Sequence, residues 1–570
     1  LKKENGKSMA VRSVRSNSLL QLAASAIILI TLNILSGHFF TRFDLTAEHR
    51  YSLSPSSIKL AGELKDVVYI RIYLEGDLPP GFKRLRNATR ELLDEYRVHS
   101  ADNIDYEFID PSAAGNEKER LELYKQLAKK GLFPTNLEVQ DQGKKSEKII
   151  FPGALVSYKN QEVPLQLLKS QLGSDPEVML NNSIEGLEYE ITSAIRRLTQ
   201  PLAKEVAFLR GHGELSTDRI TDAARALSEY YKVDTVLIDG QLHALDNYAA
   251  VIIAKPDAPF SEKDKFIIDQ YVMNGGKVLW VLDKMTIDMD SLETTSTSIA
   301  LPNNLNLDDQ LFRYGVRINA DLIMDLQSAP IPVVTGYTGN RPNQELFPWP
   351  FFPLLNAGNN HPVVNNLNVV KGEFTSSLDT IEVPNIRKTI LLTSSGFSRL
   401  QLSPVRVSLN MLRNDPDPKL YNKRNLSAAI LLEGTFPSNF KNRIPEAIAT
   451  SPEIGYKESS TANKMIVVGD GDIISNYVSK KGAIYPLGFD RFTQQSYGNR
   501  NFILNCVDYL CDDSGVIELR GKEIKLRLLD KAKLATAGWL NWFNVLLPLL
   551  LLMTGGWIHS YLRKRKYTAH

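Results

Sequence analysis

At 570 residues the chain is long enough for three or four domains at roughly 150 residues each, beyond what one hydrophobic core supports. With 43% hydrophobic and 23% charged residues it lacks the composition of a disordered chain, and two cysteines exclude a disulfide scaffold. A net charge of only +2 offers no basic excess for a nucleic-acid partner.

The charge is concentrated at the ends. Residues 1–18 and 563–570 carry +4 each, leaving −6 on the body between them. Each basic tail adjoins a long apolar run. The first, Leu19–Phe40, has no acid, Lys or Arg, and at about 1.5 Å per residue reaches roughly 33 Å, enough for a bilayer core. It also exceeds the apolar core of about 7 to 15 residues in a cleavable signal peptide. The second, Ala537–Leu562, has Trp539, Trp542, Trp557 and Tyr561 near its ends, where amphipathic rings favour the headgroup region. Two transmembrane helices, 19–40 and 537–562, are therefore expected. Lys2, Lys3, Lys7, Arg12 and Arg15 hold the first N-terminus in the cytoplasm, and two crossings return the chain there, with about 500 residues on the far side. Ser25, Asn33 and Gly37 in the first span, and Gly555 and Gly556 in the second, are residues that pack against other membrane helices.

Between the spans, Val67–Leu74 alternates as a strand, and a helix follows with Phe82, Leu85, Thr89, Leu92, Leu93 and Tyr96 on one face. A strand at 104–109, a helix at 117–130, strands at 137–140, 148–158 and 162–168, and a helix at 183–199 complete a pattern predicting a thioredoxin-like α/β domain over 41–200. Without a Cys-x-x-Cys it has no redox chemistry. After Pro201, short continuous apolar runs at 206–209, 233–238, 249–254 and 277–282 alternate with helices at 218–231 and 261–274. That is the signature of strands buried on both faces of a parallel sheet, and predicts a larger doubly wound, Rossmann-like (amidotransferase-like) domain over 201–530. Strands at 389–393, 428–432 and 465–468 and a helix at 501–509 resume that sheet after an insertion, 284–380, which includes a helix-strand unit at 308–325.

Two glycine turns should lie at carboxyl ends of parallel strands, where open α/β sheets bind ligands: Gly211-His212-Gly213-Glu214 and Gly469-Asp470-Gly471-Asp472. His212, Glu214, Asp470 and Asp472 are the candidate ligand-loop residues. The alternative is that these are simply turns by which strands leave a sheet, with Asp472 or Asp218 capping the next helix. Turns such as Lys255-Pro256-Asp257 lack the Cys of an amidotransferase elbow, and neither G-x-S-x-G nor a phosphate loop occurs. No catalytic residue, metal or cofactor is expected, and the chain cannot power transport itself. Trp349, Phe351 and Phe352, in the proline-rich stretch 347–355, are a candidate partner contact, with a strap over the domain's own core as the other reading. Cys506 and Cys511, about 140° apart on one helix, are core residues, or a disulfide if the helix ends early.

Arg42-Phe43-Asp44-Leu45-Thr46, Arg50-Tyr51-Ser52-Leu53-Ser54-Pro55 and Tyr73-Leu74-Glu75-Gly76-Asp77-Leu78-Pro79, with both glycine turns, resemble the gliding-motility-associated ABC transporter auxiliary subunits of Bacteroidetes, the GldG family. The resemblance covers nearly the whole chain. It implies a non-enzymatic inner-membrane protein with a large periplasmic region. It implies as partners a multispan permease and, through it, a cytoplasmic ABC ATPase, in a system linked to gliding and type IX secretion. Two rival readings stand beside it: a periplasmic ligand-capture domain feeding the permease, and an amidotransferase-like hydrolase.

Overall fold

A computed structural model describes residues 52–521, apart from 114, 142–143, 170–174, 201–203, 340 and 513–514, together with most of 20–33 and all of 539–567. Contacts divide the chain into two units, Leu1–Lys522 and Glu523–His570. The fold is mixed α/β.

Helix α1 (Pro55–Gly62) opens the first unit, capped by Ser54, whose hydroxyl accepts from Ser57 N. A four-stranded sheet follows, built from β1 (Val68–Ile72), α2 (Pro80–His99), β2 (Ile104–Phe108), α3 (Glu117–Lys129), a separate hairpin β3 (Thr135–Asp141) and β4 (Lys144–Ile150), then β5 (Gly153–Tyr158) and β6 (Gln161–Gln166). Its order is β2-β1-β5-β6. β1 and β2 are parallel, joined by α2 as a crossover, while β5 and β6 run antiparallel. Helix α4 (Pro176–Thr199) starts two turns before the expected Ser183, because Asp175 caps it by accepting from Glu177 N and Pro176 fits the first helical position.

The large sheet takes β7 (Glu205–Arg210), α5 (Thr217–Ser228), β8 (Lys232–Leu237), β9 (Ala250–Ala254), α6 (Glu262–Met273) and β10 (Lys277–Val281) in sequence. After α7 (Asp308–Tyr314) come a long hairpin of β11 (Ser328–Thr338) and β12 (Arg341–Ala357), then β13 (Ile386–Thr393), β14 (Ser427–Pro437), β15 (Ser459–Val468) and α8 (Asn499–Cys511). The order is β11-β12-β13-β14-β15-β10-β9-β7-β8, with Val370–Lys371 pairing β12 at the side. β15 is parallel to β10, and β10, β9, β7 and β8 are mutually parallel. β13 and β14 are antiparallel, so the segment expected simply to extend a parallel sheet makes it a mixed one.

Alternate side chains of the parallel strands enter two cores. Phe208, Ile252, Leu279 and Ile466 pack with Ile220 and Leu227 of α5 and Phe502, Cys506 and Leu510 of α8. On the other face Ala207, Ile253, Trp280 and Val467 pack with Ile268 and Val272 of α6 and Leu311 and Tyr314 of α7. Cys506 and Cys511 both lie on α8, buried, with no disulfide between them.

The insertion is largely β-structure, and it corrects the partner-contact expectation: Trp349, Phe351 and Phe352 are 0%, 2% and 4% exposed, in a core with Leu322, Met324 and Phe374. Prolines are tolerated here because β11 is an edge strand and the outer stretch of β12 pairs on one side only; Pro353 still accepts from Gly372 N through its carbonyl.

In the second unit α9 (Trp539–Tyr567) contains Trp542–Arg565, a stretch long and apolar enough to cross a membrane. An added Cβ at Gly555 or Gly556 would meet nothing within 4 Å. Of the first apolar run, the described residues include the ten-residue apolar helix Leu22–Thr31, in which Ser25 is exposed. Asn33 is also helical, while Gly37 lies outside the described residues.

A buried ionic joint links α4 to α8. Asp508 accepts from Tyr231 Oη at 2.5 Å and Tyr189 Oη at 3.4 Å, and Arg196 approaches it at 3.7 Å and Asp512 at 3.8 Å. Burial raises the Asp508 carboxyl above its usual range, against the pull of Arg196. Asp508→Ala should therefore strip Tyr231 of its acceptor, leave Arg196 with Asp512 alone and lower unfolding stability by about 2 to 4 kcal/mol, whereas Asp508→Asn, which keeps an acceptor, loses less. Thermal unfolding of the two variants checks this; an unchanged midpoint for Asp508→Ala would refute it.

Candidate functional site

Four neighbouring parallel strands, β15, β10, β9 and β7, end on the same edge of the large sheet. Each delivers a polar turn there. The first follows β7. Gly211 and Gly213 adopt φ of 116° and 71°, and a Cβ on Gly213 would overlap the Asp257 carboxylate. That close approach lets the His212 carbonyl accept from Asp257 N and Ala258 N, both at 3.0 Å. The imidazole stacks on Phe260 with ring centres 3.7 Å apart. Its Nδ1 lies 3.3 Å from Glu214 Oε1 and its Nε2 3.3 Å from Asp264 Oδ2 in the first turn of α6. Burial opposes a charge on His212, but the two carboxylates outweigh it and hold its pKa above the usual value.

The second cluster follows β9, β10 and β15. Lys255, directly after β9, adopts a left-handed φ of 49° and points its ammonium at Asp472 Oδ2, 2.5 Å away, and at Asp283 Oδ2, 3.1 Å away. Gly471 is required beside it, since a Cβ there would lie 2.5 Å from Lys255 Cγ; its N–H donates to Asp283 Oδ1. Asp470 is fully buried and accepts from Thr375 Oγ1 at 2.6 Å, Glu373 N at 2.7 Å and Asp472 N at 2.9 Å. Burial lowers the Lys255 pKa, but Asp472 and Asp283 more than reverse this and keep the ammonium charged. Asp470 has no cation of its own, so burial and the neighbouring Asp283 and Asp472 push its carboxyl well above the carboxylate range.

The expected constellation of His212, Glu214, Asp470 and Asp472 thus divides in two. Among the described residues, neither aspartate makes a hydrogen bond or ion pair with His212 or Glu214. His212 and Glu214 brace their own loop against α6, while Asp470 and Asp472 join Lys255 and Asp283. Carboxylate oxygens of Asp283, Asp470 and Asp472 lie within 4.8 Å of one another and would hold a divalent cation if Lys255 withdrew. With Lys255 in place the cluster carries its own positive charge. Asp283 and Asp264 were not singled out by sequence, and Lys255 was named only as part of a turn without a nucleophilic Cys. Their one signal is position: Lys255 and Asp283 lie one and two residues past strand ends, and Asp264 three residues after the capping Ser261.

A separate open cleft of about 630 Å³ shares none of these residues and is lined in part by Arg317, Asn319, Asp321, Asp379, Leu400 and Leu402. Its polar groups are paired internally: Arg317 with Asp379 at 2.5 Å, and Asp321 with Ser377 N at 2.8 Å and Ser377 Oγ at 2.7 Å.

The sequence profile of a family described as an ABC-type uncharacterized transport system matches residues 203–506, which include every residue of both clusters. A domain of unknown function, DUF7088, matches residues 47–157. No curated protein matches the chain. Among solved structures, one titled "mmIFT52 N-terminal domain" aligns at 12% identity over 54% of this chain and 97% of that one, with a TM-score of 0.31, too loose to define a shared fold.

Lys255→Met should remove about 3 kcal/mol of stability by stripping buried carboxylates of their cation, and the deficit should shrink as acid protonates them; melting curves from pH 8 to pH 4 give both readings. For His212→Gln the sign runs the other way. The folded-state pKa lies above the unfolded value near 6.5, so the imidazolium contributes fully below that pH and its contribution fades as pH rises through the folded pKa. The melting deficit of His212→Gln should accordingly be largest below about pH 6 and diminish in alkali; a deficit independent of pH would show that the ring acts only by stacking.

Proposed function

Because the chain belongs to the ABC transporter auxiliary family, with the family profile spanning 203–506, we propose that it is a non-catalytic auxiliary subunit that packs on a permease and presents its large α/β body on the periplasmic side. That family match carries the proposal. The apolar helix Trp542–Arg565 supports membrane association. In this reading residues 19–40 form a second crossing, both tails are cytoplasmic, and Ser25, Asn33, Gly37, Gly555 and Gly556 face permease helices, since small and polar residues allow close helix approach in lipid. A cytoplasmic ABC ATPase, reached through the permease, powers the system.

The body is read as a thioredoxin-like domain over 41–200 and a Rossmann-like domain over 201–530. The order β2-β1-β5-β6 supports the first, and the parallel strands with both faces covered support the second. Tethered to moving membrane helices, such a body transmits or receives conformational change. The sequence resemblance at 42–55 and 73–79 supports assignment to a gliding-motility and type IX secretion system of the bacterial inner membrane. The ion pairs of Lys255 with Asp472 and Asp283, which fill the parallel strand ends, disfavour the hydrolase reading. The cleft beside Leu400 and Leu402 favours ligand capture as the second reading, in which the body hands a substrate to the permease.

Purification of the tagged full chain in mild detergent should recover the permease and ATPase in fixed proportion. Recovery of the chain alone under several detergents would contradict the assignment. A thermal-shift screen of the same preparation against sugars, peptides and lipids separates capture from scaffolding, since a ligand that binds only the folded state raises the melting temperature.

A further inference from the structure

Residues 475–498, between the Asp472 turn and α8, make an excursion that neither cluster uses. Its base is fastened to α5. Asn476 N donates to Arg219 O at 2.8 Å, Asn476 Nδ2 to Asp218 O at 2.9 Å, and Asn476 Oδ1 accepts from Asp222 N at 3.0 Å. Leu487 N donates to Asp222 Oδ2 at 2.8 Å, so both ends of 476–487 are held by one helix. Beyond that base Val478 and Ile484 bridge in antiparallel fashion across the turn Lys480-Lys481-Gly482, where Gly482 takes a φ of 78°. Tyr485 stacks on Phe489 and contacts Tyr477, and the Arg491 guanidinium lies over Tyr477 at 4.3 Å and Phe492 at 4.5 Å.

The outer surface of this loop combines two chemistries. Tyr477, Ile484 and Phe492 are 36%, 40% and 39% exposed. Lys480 and Lys481 are exposed and form no ion pair among the described residues. Residues 475–489 contain no acid, and Asp490 turns inward to accept from Phe492 N and Thr493 N. Amphipathic rings beside unpaired ammonium groups suit the headgroup region of a bilayer, where rings partition at the interface and lysines meet anionic phosphates. The chain also carries a helix long and apolar enough to cross a membrane, which makes a bilayer the partner of matching chemistry.

We propose that loop 476–492 is a lipid-docking flap that binds the anionic headgroups of the bilayer in which the chain is anchored; this rests on the membrane anchoring argued above. In docking, Ile484 and the rings of Tyr477 and Phe492 enter the interface while Lys480 and Lys481 pair with phosphates.

The test uses the full chain carrying Ile484→Cys labelled with an environment-sensitive nitrobenzoxadiazole fluorophore, the native Cys506 and Cys511 being buried at 0% and 2% exposure. It is reconstituted in nanodiscs of phosphatidylcholine alone or with about a third phosphatidylglycerol. A blue shift and several-fold brightening only in the anionic discs, abolished by Lys480→Glu with Lys481→Glu, is the expected result. Identical emission in both discs, or a shift that appears only when permease and ATPase are added, would overturn the proposal, the latter by assigning the flap to a protein partner. Co-elution with the discs reports anchoring separately: a chain that fails to co-elute refutes the anchor, while one that co-elutes with an unresponsive flap refutes the flap alone.

Discussion

Strands buried on both faces are the constraint from which the rest of this molecule follows. β9 is Ala250-Val251-Ile252-Ile253-Ala254, every residue buried, and such a strand has no solvent face on which to carry function. Both of its faces must be covered, which α5 and α8 do on one side and α6 and α7 on the other. Polar chemistry is then confined to the strand ends. Four neighbouring strands ending on one edge concentrate it there, and the charges collected are acidic: Asp283, Asp470 and Asp472 around a single Lys255. Three carboxylates at such spacing are tolerated in a buried setting because the ammonium sits between two of them and the third is held by Thr375, Glu373 N and Asp472 N.

Much of this was legible in the sequence, and the reasons are local. Continuous apolar runs at 206–209, 249–254, 277–282 and 465–468 have no other stable use at that length. Ser261 before α6 is a capping residue whose side chain accepts from Asp264 N. The glycine turns mark sites where a Cβ would collide. What escaped depends on tertiary contact. Lys255 is one residue before a proline, with no motif around it, and its partners are 28 and 217 positions away. The stretch 347–355 looks irregular because proline is read as a strand breaker, yet at a sheet edge the missing N–H is not required, and the aromatics between the prolines turn inward. Asp175-Pro176 was a start signal for α4 that apolar periodicity alone placed seven residues too late.

These features bear on function together. Membership of an ABC transporter auxiliary family assigns the chain an auxiliary role in a transport system. The carboxyl ends of the parallel strands, where open α/β sheets bind ligands, here hold an internal ion-pair cluster of Lys255 with Asp283 and Asp472. The buried joint of Arg196 and Asp508 links α4, which packs on the small sheet, to α8, which packs on the large one. The apolar helix Trp542–Arg565, long enough to cross a membrane, accords with membrane association.

At the parallel strand ends the chain's own lysine takes the place a bound cation would fill. An experimental density map of the chain bound to its permease and ATPase, at a resolution that shows ions, tests it most directly. Lys255 Nζ between Asp283 and Asp472, with no further density among the three aspartates, is the expected result. A metal ion or substrate seated among Asp283, Asp470 and Asp472, with Lys255 displaced, would contradict it.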